Sequence, residues 1–315
     1  MSRAIRRNKQ RQKKFGFSHV IIAIMMIAVV IAAVLFYTDS FGFASSLREL
    51  LAVGSQEVVD ADGLKIVDGD FTIDAPGDRL EDTHITGNLY LASGIGDGSV
   101  DLVNVKVDGS TLIQGGGINS IYMISCTFEE LKVNRPEGRV RLIVSGETVI
   151  EKTILETGAR LIENIKGDSA GFKSVEVMTD QQVDLIGSFD SIHVSVKDAN
   201  VETTSEMLEQ LVITKIAAGT ALKYTDGLFI KNMYLDGTAY LVGRIEVDQA
   251  FLAASGITEL NGSFNQVRIT AEAGQFDIKE ESTFNKLIVA RDALNNELNL
   301  GENVTVASLE LNEAV

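Results

Sequence analysis

The chain has 315 residues, 45% of them hydrophobic, with 28 glycines, two prolines, one cysteine and no tryptophan. That apolar content suffices for a core, and a single cysteine excludes an intramolecular disulfide. The net charge is −16, and the body alone, residues 39–315 at net −23, opposes nucleic-acid binding.

The charge is unevenly placed. Residues 1–14 carry seven basic side chains and no acid, whereas residues 39–315 carry 21 basic and 44 acidic residues, net −23. Between them, residues 20–37 form an unbroken apolar run of 18, long enough to cross a hydrocarbon core as a helix. Phe15, Phe17 and Tyr37 supply aromatics for the two interfaces. The pattern predicts a basic cytoplasmic tail over 1–17, whose cations meet anionic headgroups, and a transmembrane signal anchor over 18–38, with the body outside the membrane by the positive-inside rule. The alternative is a cleaved signal peptide, for which Phe43-Ala44-Ser45 offers a small-residue site; the apolar run is longer than a usual signal core.

Residues 39–61 read as a juxtamembrane linker. Within it Ser46-Leu47-Arg48-Glu49 resembles a capping box, and Leu47, Leu50 and Leu51 share a helical face. A short amphipathic helix over 45–53 would either cover the first layer of the body or lie on the membrane surface.

From residue 62 to 315 the text is strand and turn. A six-residue phrase (apolar, two polar, apolar, any, apolar) recurs as LEDTHI at Leu80, LVNVKV at Leu102, FEELKV at Phe128, IEKTIL at Ile150, FKSVEV at Phe172 and FDSIHV at Phe189. It returns as LEQLVI at Leu208, IKNMYL at Ile230, FNQVRI at Phe264, FNKLIV at Phe284 and VASLEL at Val306. The spacing is mostly 17–26 residues, with one gap of 34 after Ile230 that predicts an insertion or a skipped phrase. Positions four and six share one face of a strand, and position five points the other way. A second phrase, apolar-x-Gly, occurs at Val67, Ile85, Val107, Val144, Leu185, Leu235 and Leu260, where glycine would let the chain bend after a strand. A period near 20 without a helical insert is the arithmetic of an all-β, single-stranded parallel β-helix of about 11–12 layers.

The search for chemistry finds no converging set. His84 and His193 both fall on the outward fifth position, five layers apart, too far to share a metal or form a dyad. Acidic pairs such as Glu129-Glu130 and Glu280-Glu281 are what a soluble acidic surface carries. Cys126 lies in an alternating stretch and reads as packed. Gly96-Asp97-Gly98 allows a low-affinity surface calcium site, but the nonapeptide calcium-roll pattern is absent. No other cofactor is expected. The outward position is apolar in Ile154, Val212, Tyr234 and Ile288, and these four are the candidate interaction surface.

The run from Asn88 to Tyr122 resembles a segment of large surface proteins of Gram-positive (Firmicute) bacteria, many of which carry S-layer-homology domains. The likeness rests on Gly96 to Gly98, Leu102 to Val107, Gly109 to Thr111, Gly115 to Gly117 and Asn119 to Ile121, with later stretches at 140–150, 185–194 and 237–257. The resemblance implies a cell-envelope location and a β-helical stalk or spacer role; it carries over no catalytic residue. A weaker likeness is to bactofilin-like polymer formers. The sequence is therefore read as a membrane-anchored, non-enzymatic envelope protein. Its expected partners are the membrane, a cell-wall polymer, other envelope proteins or further copies of itself. A polymer-forming scaffold and a polysaccharide-acting β-helix enzyme are the alternatives.

Overall fold

A computed structural model of the chain describes residues 58–312, apart from 119–120, 166–170, 226, 271–273 and 294. The predicted tail, anchor and juxtamembrane helix lie outside the described residues. Among those described, no helix is long and apolar enough to cross a membrane.

The described residues form a parallel β-solenoid of about 12 turns, its 26 strands joined in one sheet that winds around a single core. The turn that starts at Leu228–Leu235 shows why the sequence winds. Leu228 and Ile230 point inward, then Met233 and Leu235, then Ala239 and Leu241, and all six are buried. Strict alternation would keep one face inward. Here Lys231 and Asn232 break it by both facing out, which bends the strand and starts a new side. Three inward pairs per turn give the cross-section three short sides.

Stacking turns align like residues in columns. The first position of the phrase runs as Val67, Ile85, Val107, Phe128, Ile150 and Phe172, each paired to the next. It continues as Leu208, Ile230, Val247, Phe264, Phe284 and Val306. Phe172 stacks on Phe189 at 5.6 Å and Phe264 on Phe284 at 4.9 Å, so two aromatic pairs stack inside the core. Each fully buried side chain of this kind is worth about 1.5–3 kcal/mol.

The register corrects the sequence reading in two places. LEDTHI and LVNVKV pair with each other, Leu80 with Leu102 and Ile85 with Val107, but Val107 then pairs with Phe128. These two copies sit earlier in the turn than the rest, which explains the 26-residue spacing. The glycine phrase at Val67, Ile85 and Val107 is the early form of the same segment, with one residue more: Phe71, Leu89, Thr111 and Leu131 share a column. Glycine is needed there because a Cβ on Gly109 would stand 2.5 Å from the carbonyl oxygen of Gly87. The 34-residue gap is a skipped phrase: Ile230 pairs with Val247 and Val247 with Phe264, making two turns of 17 through VDQAFL.

The two ends differ. At the amino-terminal end, residues 58–64 fold back over the first turn. Val59 bridges Lys65 in antiparallel fashion, the Ile66 N–H donates to the Val58 carbonyl at 2.8 Å, and Leu64 is buried. At the carboxyl-terminal end Leu300, Leu309 and Leu311 continue the inward columns of Ile278, Leu287 and Val289, yet they are 58%, 58% and 67% exposed.

Candidate functional site

The outward fifth position is a continuous column down one side. It runs from Tyr90 and Leu112 through Lys132, Ile154, Glu176, His193, Val212, Tyr234, Phe251, Arg268 and Ile288 to Glu310. It contains all four sequence-predicted contact residues, and the structure divides them.

Ile154 and Ile288 face outward but are only 7% and 3% exposed. The cause is the same in both. Lys152, two residues before Ile154, reaches down to Glu176 in the next turn at 3.0 Å, and Lys286 reaches Glu310 at 2.9 Å. Each ion pair lies diagonally across its isoleucine. These two residues present no docking surface.

Val212 and Tyr234 are half-buried and in adjacent turns. Tyr234 stacks on Phe251 with centroids 4.9 Å apart and planes within 6°. Phe251 belongs to the skipped phrase, where Ala250 stands in place of the larger fourth residue; the signal for it was that 34 is twice 17. The adjoining outward column is Gln210, Asn232, Gln249 and Gln266, paired in order, and His193 Nε2 lies 3.0 Å from Gln210 Oε1. Apolar rings beside uncharged amides form a strip distinct from the acidic surface around it.

A second feature is a groove of about 600 Å3 lined by Leu241, Val242, Gly243, Arg244, Glu259, Asn261, Lys279, Glu280 and Glu281. It arises from unequal corners. The chain passes from Ala239–Val242 to Ile245–Leu252 through two residues, and from Ile257–Leu260 to Gly262–Ile269 through Asn261 alone. The next corner takes residues 279–282, so the short corners are recessed. The tightest needs glycine: at Gly262 φ is +141°, and a Cβ would overlap the Ile245 backbone. Arg244 spans the recess to Glu281, with Nη1 3.7 Å from its carboxylate and Nη2 donating to its carbonyl at 3.4 Å. Lys279 pairs with Glu259 at 3.2 Å. These carboxylates are water-exposed and set against cations, whereas a glycoside-cleaving pair requires one desolvated acid.

The histidines do not share a column. His84 pairs in register with Ile66 and Lys106, whereas His193 pairs with Glu176 and Val212. His84 Nε2 is 2.9 Å from Asp108 Oδ2. Its Nδ1 is 2.9 Å from Asp60 Oδ2, off the line of a good hydrogen bond. Asp60 also accepts the N–H groups of Leu64 and Asp62 at 2.9 Å. The Leu64 N–H, with lesser help from Asp62 and His84, holds this carboxyl below its ordinary range against a smaller opposing effect of burial. His84 thus lies between Asp60 of the amino-terminal cap and Asp108 of the turn beyond.

Asp97, the carboxylate of the segment that allows calcium, accepts Arg135 Nη2 at 2.7 Å, and a guanidinium there competes with a metal cation. Cys126 is buried, and burial pushes its thiol up to about 11. Comparison of the chain with family models, curated proteins and solved structures finds no match. The site must therefore be read from its own geometry: a regular wall with an apolar–amide strip, a charged recess and exposed leucines on the last described turn.

Proposed function

We propose that the protein is a membrane-anchored, non-enzymatic structural and interaction protein of the cell envelope, whose β-solenoid projects outside the membrane as a stalk. The carrying observation is the uninterrupted stack of about 12 parallel turns, which at ~4.8 Å per turn extends on the order of 60 Å. The apolar run at 20–37 behind seven basic residues supports the anchor, and Val212, Tyr234 and Phe251 with their amide neighbours supply a contact strip. Fractionation of cells expressing the full chain, followed by protease treatment from outside, tests this. The solenoid is expected in the membrane fraction and accessible externally; recovery in the soluble fraction, or protection inside, overturns it.

A second reading, a self-assembling scaffold, is favoured by the exposed leucines of the last described turn. Leu300, Leu309 and Leu311 lie where the next turn of a core would begin, and unpaired strand edges invite pairing. The antiparallel cover at residues 58–64 closes the other end, so the reading favours association of two copies through their carboxyl-terminal ends. Sedimentation of the full chain against a Leu309→Lys, Leu311→Lys variant decides it: a wild-type chain that is monomeric at high concentration removes this reading.

A further inference from the structure

One part of the wall runs against the acidic character of the body. Four of the nine arginines after residue 38 fall within 135–160, and three of them, Arg139, Arg141 and Arg160, gather on one side of adjacent turns. Arg141 and Arg160 are direct partners in the register, and Asp184 follows Arg160 in the next turn. Like charges directly opposite one another in a sheet are unfavourable. At the ~4.8 Å spacing of neighbouring strands, this pairing calls for a counter-charge.

The one carboxylate at hand does not supply enough. Asp184 takes Arg139 Nη2 at 2.6 Å and Gln182 Nε2 at 2.9 Å, and its net lowered pKa reflects those bonds together with the charges of Arg139 and Arg160, working against burial. Among the described residues, no carboxylate oxygen lies within ion-pair distance of Arg141 or Arg160. Arg141 is fixed by its Nη1 bond to the Ile118 carbonyl at 3.4 Å, and the Nε atoms of Arg139 and Arg141 are turned away from solvent. The forks of Arg139 and Arg141 are thus oriented, and the exposed Arg160 stands beside them. Two residues further along the same strands, Ile143 and Ile162 form the neighbouring outward column, an apolar wall that strengthens charge interactions beside it.

We propose that Arg139, Arg141 and Arg160 form a binding site for a phosphoryl group. Three guanidinium forks on adjacent turns meet one carboxylate already taken by Arg139 and Gln182, and the next acid of the column, Glu202, lies a turn beyond Asp184. A tetrahedral dianion can accept hydrogen bonds from several directions at once, where a carboxylate serves one fork. The inference does not rest on the membrane reading or on self-assembly.

Calorimetric titration of the full chain with pyrophosphate at low ionic strength tests it. Arg141→Gln with Arg160→Gln is expected to weaken binding at least tenfold and to flatten its salt dependence, while leaving the unfolding temperature unchanged or raised, because a like-charge pair has been removed. Asp184→Asn is expected to tighten binding severalfold, an effect that a purely structural arginine cluster would not produce. Equal affinity in the double Gln variant assigns any binding to the basic tail and overturns the proposal. Absence of wild-type binding, or weakening by Asp184→Asn, overturns it too.

Discussion

Glu163 should make the solenoid less stable in base than in acid, and its position shows why. It occupies a core column, following Leu80, Leu102, Met123 and Val144. In the next turn Gly187 leaves room for it, since a Cβ there would come within 2.6 Å of the Glu163 Cβ. The carboxylate lies against Gly171 and, among the described residues, accepts the Phe172 N–H at 3.4 Å. Burial pushes its pKa from 4.5 up to about 7; the Phe172 N–H and Lys173 oppose the rise and Asp190 adds to it. The folded state therefore favours the protonated acid. Its contribution is complete below the unfolded value near 4.5 and is lost as pH rises through about 7. Full linkage over that interval is ~3 kcal/mol. The group is half-exposed, so solvent screening leaves about 1–2 kcal/mol. Glu163→Gln keeps the shape and the acceptor oxygen but cannot ionise. Denaturant unfolding of both proteins, with hydrogen exchange at the Phe172 amide as the local probe, should show the variant more stable by about 1–2 kcal/mol at pH 8.5 and nearly equal at pH 5. An offset of the same size at both pH values would refute the reasoning.

Other outcomes depend on single contacts. Gly262→Ala drives a Cβ into the Ile245 backbone and should destabilise the chain by on the order of 3 kcal/mol, with faster exchange in the turns around 245–290. Phe251→Ala should lose about 1 kcal/mol beyond the change in buried area, and a double-mutant cycle with Tyr234→Ala should recover most of it as coupling. The Cys126 thiol, buried and raised to about 11, should resist a disulfide reagent at pH 8 in the native state and react at once on unfolding.

The inner columns were legible in the sequence because they obey period two: Phe128, Leu131 and Val133 face inward as written, as do Phe284, Leu287 and Val289. Corner length was not legible, since a turn of 17 and a turn of 22 bury the same six positions. A phrase with alanine at its fourth place, such as VDQAFL, hides one turn, and an extra glycine at Gly69, Gly87 and Gly109 hides the register of the first three. Exposure on the outer face was partly legible. The sequence identifies Ile288 as outward, but its cover depends on Lys286 reaching a residue 24 positions further on, which a single strand does not display.

What distinguishes one part of this wall from another is therefore carried by corners and outward pairs, while the core repeats itself. Two arginines show the same device. Gly117 lies between Asp97 and Arg135, and a Cβ on it would clash with the Asp97 carboxylate. The Arg135 guanidinium crosses that gap to Asp97 from 38 residues away. Asn261 lines the charged recess, and Arg244 crosses it to Glu281 from 37 residues away. In each case an arginine reaches past the intervening turn to a partner two turns away. An ion pair between adjacent turns reinforces hydrogen bonds that the sheet already makes. One that skips a turn couples strands with no ladder between them, so it adds a tie that the sheet itself does not provide. The exposed surface can then vary from turn to turn, as the strip at Tyr234 and the cluster at Arg141 do, without interrupting the columns beneath.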